Sequence, residues 1–209
     1  MTDDHTDGAL ERSLRAARAT SDPAALQRLR RALAEEAARA DLIDVAFERH
    51  ETPLGTIVVG ATREGLVRIG LPSEDEGDVL QQLADRLSPR VLRASSEALV
   101  LTRRQLDEYF AHARRRFDIP LDWRLATGFR RAVLRATAAI PYGETSSYRD
   151  VATRAGSPNA VRAAGTALAT NPLPIVVPCH RVLRTGGGLG RYRGGAEAKA
   201  ALLALEGAA

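Results

Sequence analysis

The sequence predicts two folded parts, a small α/β domain over residues 44–122 and a mainly helical domain over residues 123–209. Residues 1–43 read as a helical extension ahead of both. Three observations carry this. β-Branched runs separated by turn signals crowd between Val45 and Pro72. Two short helical stretches with a glycine-containing turn between them lie downstream of Phe129. The formal charge divides near the same border: from Trp123 onward there are 12 Arg and Lys against four Asp and Glu, whereas the first 122 residues carry 18 against 22. A basic half beside a mildly acidic one is what a chain shows when one domain meets a polyanion.

With 209 residues the chain can bury an ample core. No apolar stretch approaches the ~20 residues of a membrane span. The start, MTDDHTDGAL, is acidic and polar rather than basic then apolar, so no secretory signal is expected. A single cysteine, Cys179, rules out an internal disulfide and a cysteine-based zinc cluster. The four histidines (His5, His50, His112, His180) are scattered and form no metal motif. A reducing, cytoplasmic setting without metal or cofactor is the expectation.

The elements follow in order. PAALQRLRRALAEEAARADLI places Leu26, Leu29 and Leu33 at helical spacing, with Pro23 near the start. VAFERHETPLGTIVVGATREGLVRIGLP holds three short runs separated by TPLG and TREG, an antiparallel meander. After the acidic loop SEDEGD come two helical stretches, near Asp78–Leu87 and Ser96–Arg115, the second broken by Pro120. Phe129, Val133, Leu134 and Ile140 form one apolar stripe, stopped by PYG. A short helix from Tyr148 to Ala155, capped by Ser146 or Ser147, ends at Gly156, and a second helix starts at Ser157 or Pro158. Helix, glycine turn and helix in a basic region form a helix-turn-helix signature. The second helix, NAVRAAGTALAT, carries small residues and one arginine, Arg162. Such a face permits close approach to a narrow groove, or else tight packing inside the protein.

The stretch LPIVVPCHRVLRTGGGLGRYRGG surrounds the single thiol. A solitary cysteine is commonly only a small buried hydrophobe, so its neighbours must argue for chemistry. Pro178 cannot donate a ladder hydrogen bond, so an IVV strand should end or bulge there and present Cys179 at its edge. His180 is the natural base, acting through a bridging water because adjacent side chains diverge. The imidazole then needs an orienting partner, and Glu206 in LLALEG is the candidate. With no second cysteine, a stable alkyl group on Cys179 would stay there, whereas an acyl group would turn over. An alkyl acceptor, which would be consumed, and a protease or acyl transferase, which would turn over, both remain open on these residues alone.

The runs IPYGETSSY, GSPNAVRAAG, NPLPIVVPCHRV, GLGRYRGG and LLALEG, in this order and spacing from Phe129 to Gly207, closely resemble the O6-alkylguanine-DNA alkyltransferases. TPLGTIVVGATREGLVRIGLP and QLDEYFAHARRRFDIPLD are similar to the N-terminal part of that family. The resemblance implies an RNase H-like N-terminal domain, a winged helix-turn-helix C-terminal domain, and one irreversible alkyl transfer from O6-alkylguanine, or O4-alkylthymine, in double-stranded DNA to Cys179. It implies a monomer, with room for cooperative assembly on DNA. It assigns Cys179, His180, Glu206, Asn171 and Tyr148 to catalysis, and Arg162, Tyr148, Ala163, Thr166 and Ser157 to DNA contact, with Arg162 filling the gap left by a rotated base. Val182, Tyr192, Arg193, Pro174 and Gly194 would line the base pocket, with the carbonyls of Cys179 and Val182 reading the exocyclic amine. Two features depart from the family. Arg193 stands where a small residue is usual, which predicts a narrower pocket or an added phosphate contact. AAGTALATNP replaces a more glycine- and arginine-rich stretch. The presence of Cys179 separates the chain from the cysteine-lacking lesion sensors, and no Cys-rich metal module precedes the domain.

Overall fold

The computed structural model describes residues 23–40 and 42–208. Within them α1 (Pro23–Arg39) is followed by β1 (Val45–Thr52), β2 (Gly55–Thr62) and β3 (Gly65–Gly70), then α2 (Glu76–Arg86), β4 (Val91–Arg93) and α3 (Glu97–Phe110). The second part holds α4 (Gly128–Ala138), β5 (Ser146–Ser147), α5 (Tyr148–Arg154), α6 (Val161–Ala169), a 3₁₀ turn at Cys179–Arg181, β6 (Val182–Leu183) and α7 (Gly195–Leu205). The part of the extension before Pro23 lies outside the described residues. Leu26 and Leu33 of the α1 stripe are exposed.

The meander forms as expected: β1 pairs antiparallel with β2, and β2 with β3. The sheet is mixed rather than purely antiparallel, because β4 adds a parallel edge beside β1 in the order β3-β2-β1-β4. Three residues are too few to show a period-2 pattern, which is why β4 escapes the sequence. Gly65 (φ +133°) is fixed by geometry, since a Cβ there would lie 2.1 Å from the Pro120 carbonyl oxygen. That close approach lets Leu66 N–H bond Pro120 O at 2.9 Å, tying the segment before α4 to the sheet.

Three helix boundaries differ from the sequence expectation. α3 stops at Phe110, well short of Pro120. His112 adopts a left-handed conformation (φ 59°), and Ala113 and Arg114 N–H turn back onto Glu108 O. α4 ends at Ala138, leaving Ile140 buried just beyond it. α6 begins at Val161, not at Ser157 or Pro158, because Ser157–Ala160 close a separate turn through Ala160 N–H to Ser157 O at 2.9 Å. The α5 cap is Ser147, in a reciprocal capping box with Asp150.

The largest correction concerns IVV, which is not a strand. Ile175 sits at φ 72°, a costly conformation for a β-branched residue. A tight turn holds it, with Val177 N–H on Leu173 O at 2.8 Å and Leu173 N–H on the Asn171 side-chain oxygen at 3.0 Å. One apolar core runs through both parts, joining Ile57, Leu66, Leu106 and Tyr109 to Val133, Leu168, Ile175 and Leu202. Ile69 N–H bonds Pro172 O at 2.8 Å, so β3 touches the thiol-bearing segment directly.

Candidate active site and nucleic-acid face

Residues 171–182 are buried without interruption, and Cys179 lies at the first position of the 3₁₀ turn. A 3₁₀ turn sends successive side chains in different directions. The thiol of Cys179 therefore faces Asn171, whose side-chain nitrogen lies 3.2 Å from Sγ and 2.8 Å from Val177 O. The imidazole of His180 faces Glu206, with Nε2 2.9 Å from Oε1. Asn171 thus couples the end of the α6 segment to the thiol.

The electrostatics of these groups interlock. Burial pushes the Cys179 thiol above its usual range, with the Asn171 hydrogen bond opposing it. Burial lowers His180, and the carboxylate of Glu206 compensates only in part. Burial would raise Glu206, but hydrogen bonds from His180 and Arg181 overcome it and bring the carboxyl down to about 2. At neutral pH the site therefore holds a protonated thiol, a neutral imidazole and an ionised carboxylate. An ionised carboxylate only accepts, so the imidazole proton is on Nε2 and the lone pair is on Nδ1. Nδ1 is buried with no partner among the described residues.

Glu206 has more partners than the sequence suggests. Arg181 donates to it from Nε at 2.8 Å and from a terminal nitrogen at 2.9 Å, and the Tyr109 hydroxyl donates at 2.6 Å. Tyr109 comes from α3, so the sheet-bearing part of the chain supplies a ligand to the carboxylate. Sequence reasoning missed Tyr109 and Arg181; the DEYF run and the arginine following Cys-His were the available signals. It also missed Lys199, fully buried on α7, whose ammonium donates to Val182 O at 2.6 Å and to Leu189 O. Burial lowers Lys199 to about 8, with Cys179 opposing. Val182 O, expected to read a base, is thus also a lysine acceptor.

Along the outer face of α6, residues that include Tyr148, Arg149, Arg162, Thr166, Arg184 and Arg191 border an open groove of about 540 Å³. Arg162, Ala163 and Thr166 are exposed along the outer face of α6, and Ser157 is half-buried in the preceding turn. Tyr148 is half-buried, and burial together with the neighbouring Cys179 raises its phenol. Gly190 (φ +69°) belongs to the glycine-rich loop, and a Cβ there would meet the Tyr148 hydroxyl at 2.6 Å. Tyr192 is buried edge-on to His180, with centroids 6.4 Å apart, and its hydroxyl has no partner among the described residues. Pro174 is buried in the strained turn, and Gly194 caps α7. Arg193 turns toward Glu74 and the end of α6. Its guanidinium donates to Glu74 at 2.8 Å and to Ala169 O at 3.2 and 3.3 Å. The described residues hold no cluster of metal-ligating side chains and no helix long and apolar enough to cross a membrane.

A helix-turn-helix face together with one buried thiol, held by Asn171 and followed in sequence by a carboxylate-paired imidazole, defines a DNA-binding protein with a nucleophilic cysteine. The chain belongs to the 6-O-methylguanine DNA methyltransferase family: the family's DNA binding domain matches residues 128–208 and its ribonuclease-like domain residues 45–123. It is 40% identical over 160 residues to the constitutive methylated-DNA–protein-cysteine methyltransferase of Bacillus subtilis, covering 75% of this chain and 92% of that one. The O6-methylguanine methyltransferase of Mycobacterium tuberculosis superposes with a TM-score of 0.67 at 34% identity, covering 78% of this chain and 93% of that chain. The same M. tuberculosis protein in complex with DNA matches equally well, with a TM-score of 0.67.

Proposed function

We propose that this protein repairs O6-alkylguanine in double-stranded DNA by moving the alkyl group, once per chain, onto Cys179. The observation that carries the reading is the Asn171–Cys179 and His180–Glu206 geometry at the end of α6, the helix whose outer residues border the groove. The Cys179 sulfur attacks the alkyl carbon, the carbon–O6 bond breaks, and its electron pair leaves with the guanine. The thiol proton passes through water to Nδ1 of His180, and Glu206 stabilises the imidazolium that forms. The Tyr148 hydroxyl donates to the guanine ring as it gains negative charge. The product is a thioether, which does not hydrolyse, so the chain is consumed.

Exposed Arg162 is the side chain that enters the stack when the alkylated base rotates out. The small residues Ala163 and Gly165 let α6 approach the groove, and Ser157 and Thr166 contact the backbone. Tyr192, Pro174, Val182, Gly194 and the backbone of Arg193 form the base pocket. The protein acts as a cytoplasmic monomer in this reading. Alkyl transfer from a methylated duplex and from free O6-benzylguanine, measured with wild type and Arg162→Ala, tests it. The wild type should stop at one alkyl group per chain on either substrate. Arg162→Ala should lose roughly tenfold or more on the duplex and little on the free base, because only the duplex must be opened. Continued turnover would point to a thiol hydrolase, and equal losses on both substrates would remove Arg162 from extrusion.

A further inference from the structure

Arg193 sits in the glycine-rich wall of the thiol pocket, yet its side chain is held from outside that wall. Glu74, in the loop between β3 and α2, accepts from Arg193 through Oε2 at 2.8 Å. The same oxygen accepts from Arg68, which is 2% exposed and also donates to Gln82 at 3.1 Å and to Ile69 O. The other carboxylate oxygen of Glu74 receives Leu71 N–H at 2.9 Å. Glu74 is therefore fixed before Arg193 reaches it. A carboxylate held by a buried arginine and a backbone amide has little rotamer freedom left to lose.

Two further bonds complete the connection. The Ser73 hydroxyl donates to Arg193 O at 2.9 Å, fastening the backbone of the wall as well as its side chain. The rest of the Arg193 fork donates to Ala169 O, the last residue of α6, where free carbonyls and the negative helix end favour a cation. Three parts thus meet at one guanidinium: the β3–α2 loop, the pocket wall and the groove helix. The wall carries Tyr192, packed against His180. Burial, with the charges of Cys179 and Glu74 adding, pushes the Tyr192 phenol well above its usual range, so Glu74 is felt inside the pocket.

We propose that Glu74 is a positioning residue for alkyl transfer: through Arg193 it holds the Tyr192–Gly194 wall at a fixed distance from Cys179 and from the end of α6, and so sets how large an O6 substituent the pocket accepts. The proposal rests on the reading of Cys179 as alkyl acceptor. Releasing the latch loosens one wall, so the methyl group is oriented less well while a bulky group gains room.

The test compares second-order transfer rates for an O6-methylguanine duplex and free O6-benzylguanine in wild type, Arg193→Ala, Glu74→Ala and the double variant. Arg193→Ala keeps the Arg68–Glu74 pair and so guards against Glu74→Ala failing to fold. Each single variant should slow methyl transfer by roughly tenfold. The benzyl-to-methyl rate ratio should rise in each. The double variant should be no slower than the slower single one, because both remove the same Glu74–Arg193 connection. Losses that multiply in the double variant, or an unchanged substrate ratio, would overturn the proposal. A wild type that transfers neither group would instead overturn the reading of Cys179.

Discussion

Replacing Glu206 by glutamine should cost the fold about 3–5 kcal/mol and slow alkyl transfer by roughly 10²–10⁴. The carboxylate accepts from His180, Tyr109 and two nitrogens of Arg181, and it is 5% exposed. An amide offers one accepting oxygen in place of two, and its NH₂ group would face either Arg181 or the imidazole. In either orientation the neutral amide leaves a guanidinium that is 6% exposed without its countercharge and sets an NH₂ group against one of its nitrogens. Facing His180, it donates to Nε2 and drives the imidazole proton to Nδ1, which abolishes the base on the thiol side. Urea unfolding and single-turnover transfer measure the two losses, and a rate within threefold of wild type would remove Glu206 from the chemistry. The pH dependence has a definite sign. The folded carboxyl is lowered from 4.5 to about 2, so its stabilisation is complete above its unfolded value and is lost as pH falls from about 4.5 toward 2. Glu206→Gln should lack that acid-dependent loss.

Removing the base has a different signature. His180→Ala should slow transfer by roughly 10²–10⁴ at neutral pH while leaving Glu206 paired with Arg181 and Tyr109. Burial holds His180 below its ordinary value, so the wild-type rate should be flat through neutrality and fall only on the acid side, where the imidazole protonates. Without His180 the thiol must ionise unaided, and burial has raised it. The rate of the variant should therefore climb with pH well into the alkaline range. A variant whose rate is as flat as wild type between neutral and alkaline pH would mean that another group takes the proton.

The sequence made the site legible where chemistry is carried by adjacent or strongly patterned residues. Cys179 and His180 announce themselves by juxtaposition, Gly156 by ending α5, and the α5 cap as Ser146 or Ser147, of which the structure uses Ser147. The β1–β3 meander followed from β-branched runs between turn signals, and those strands form. What failed were the places where side chains from distant elements override local preference. IVV has high strand propensity, yet the Asn171 side chain and a Leu173–Val177 turn hold Ile175 in a left-handed conformation. The start of α6 moved to Val161 because Ser157–Ala160 form their own hydrogen-bonded turn. No local pattern could reveal that Tyr109 reaches Glu206, or that Arg193 turns toward Glu74, since each pair is separated by about half the chain.

The central claim is that Cys179 is alkylated once by damaged DNA. Its most direct test is the mass of the intact chain, and of the peptide containing Cys179, after incubation with a duplex carrying one O6-methylguanine. Each chain should gain one methyl group, located on Cys179, with no gain in Cys179→Ala. An unchanged mass with the lesion tightly bound, or a methyl group on any other residue, would contradict it.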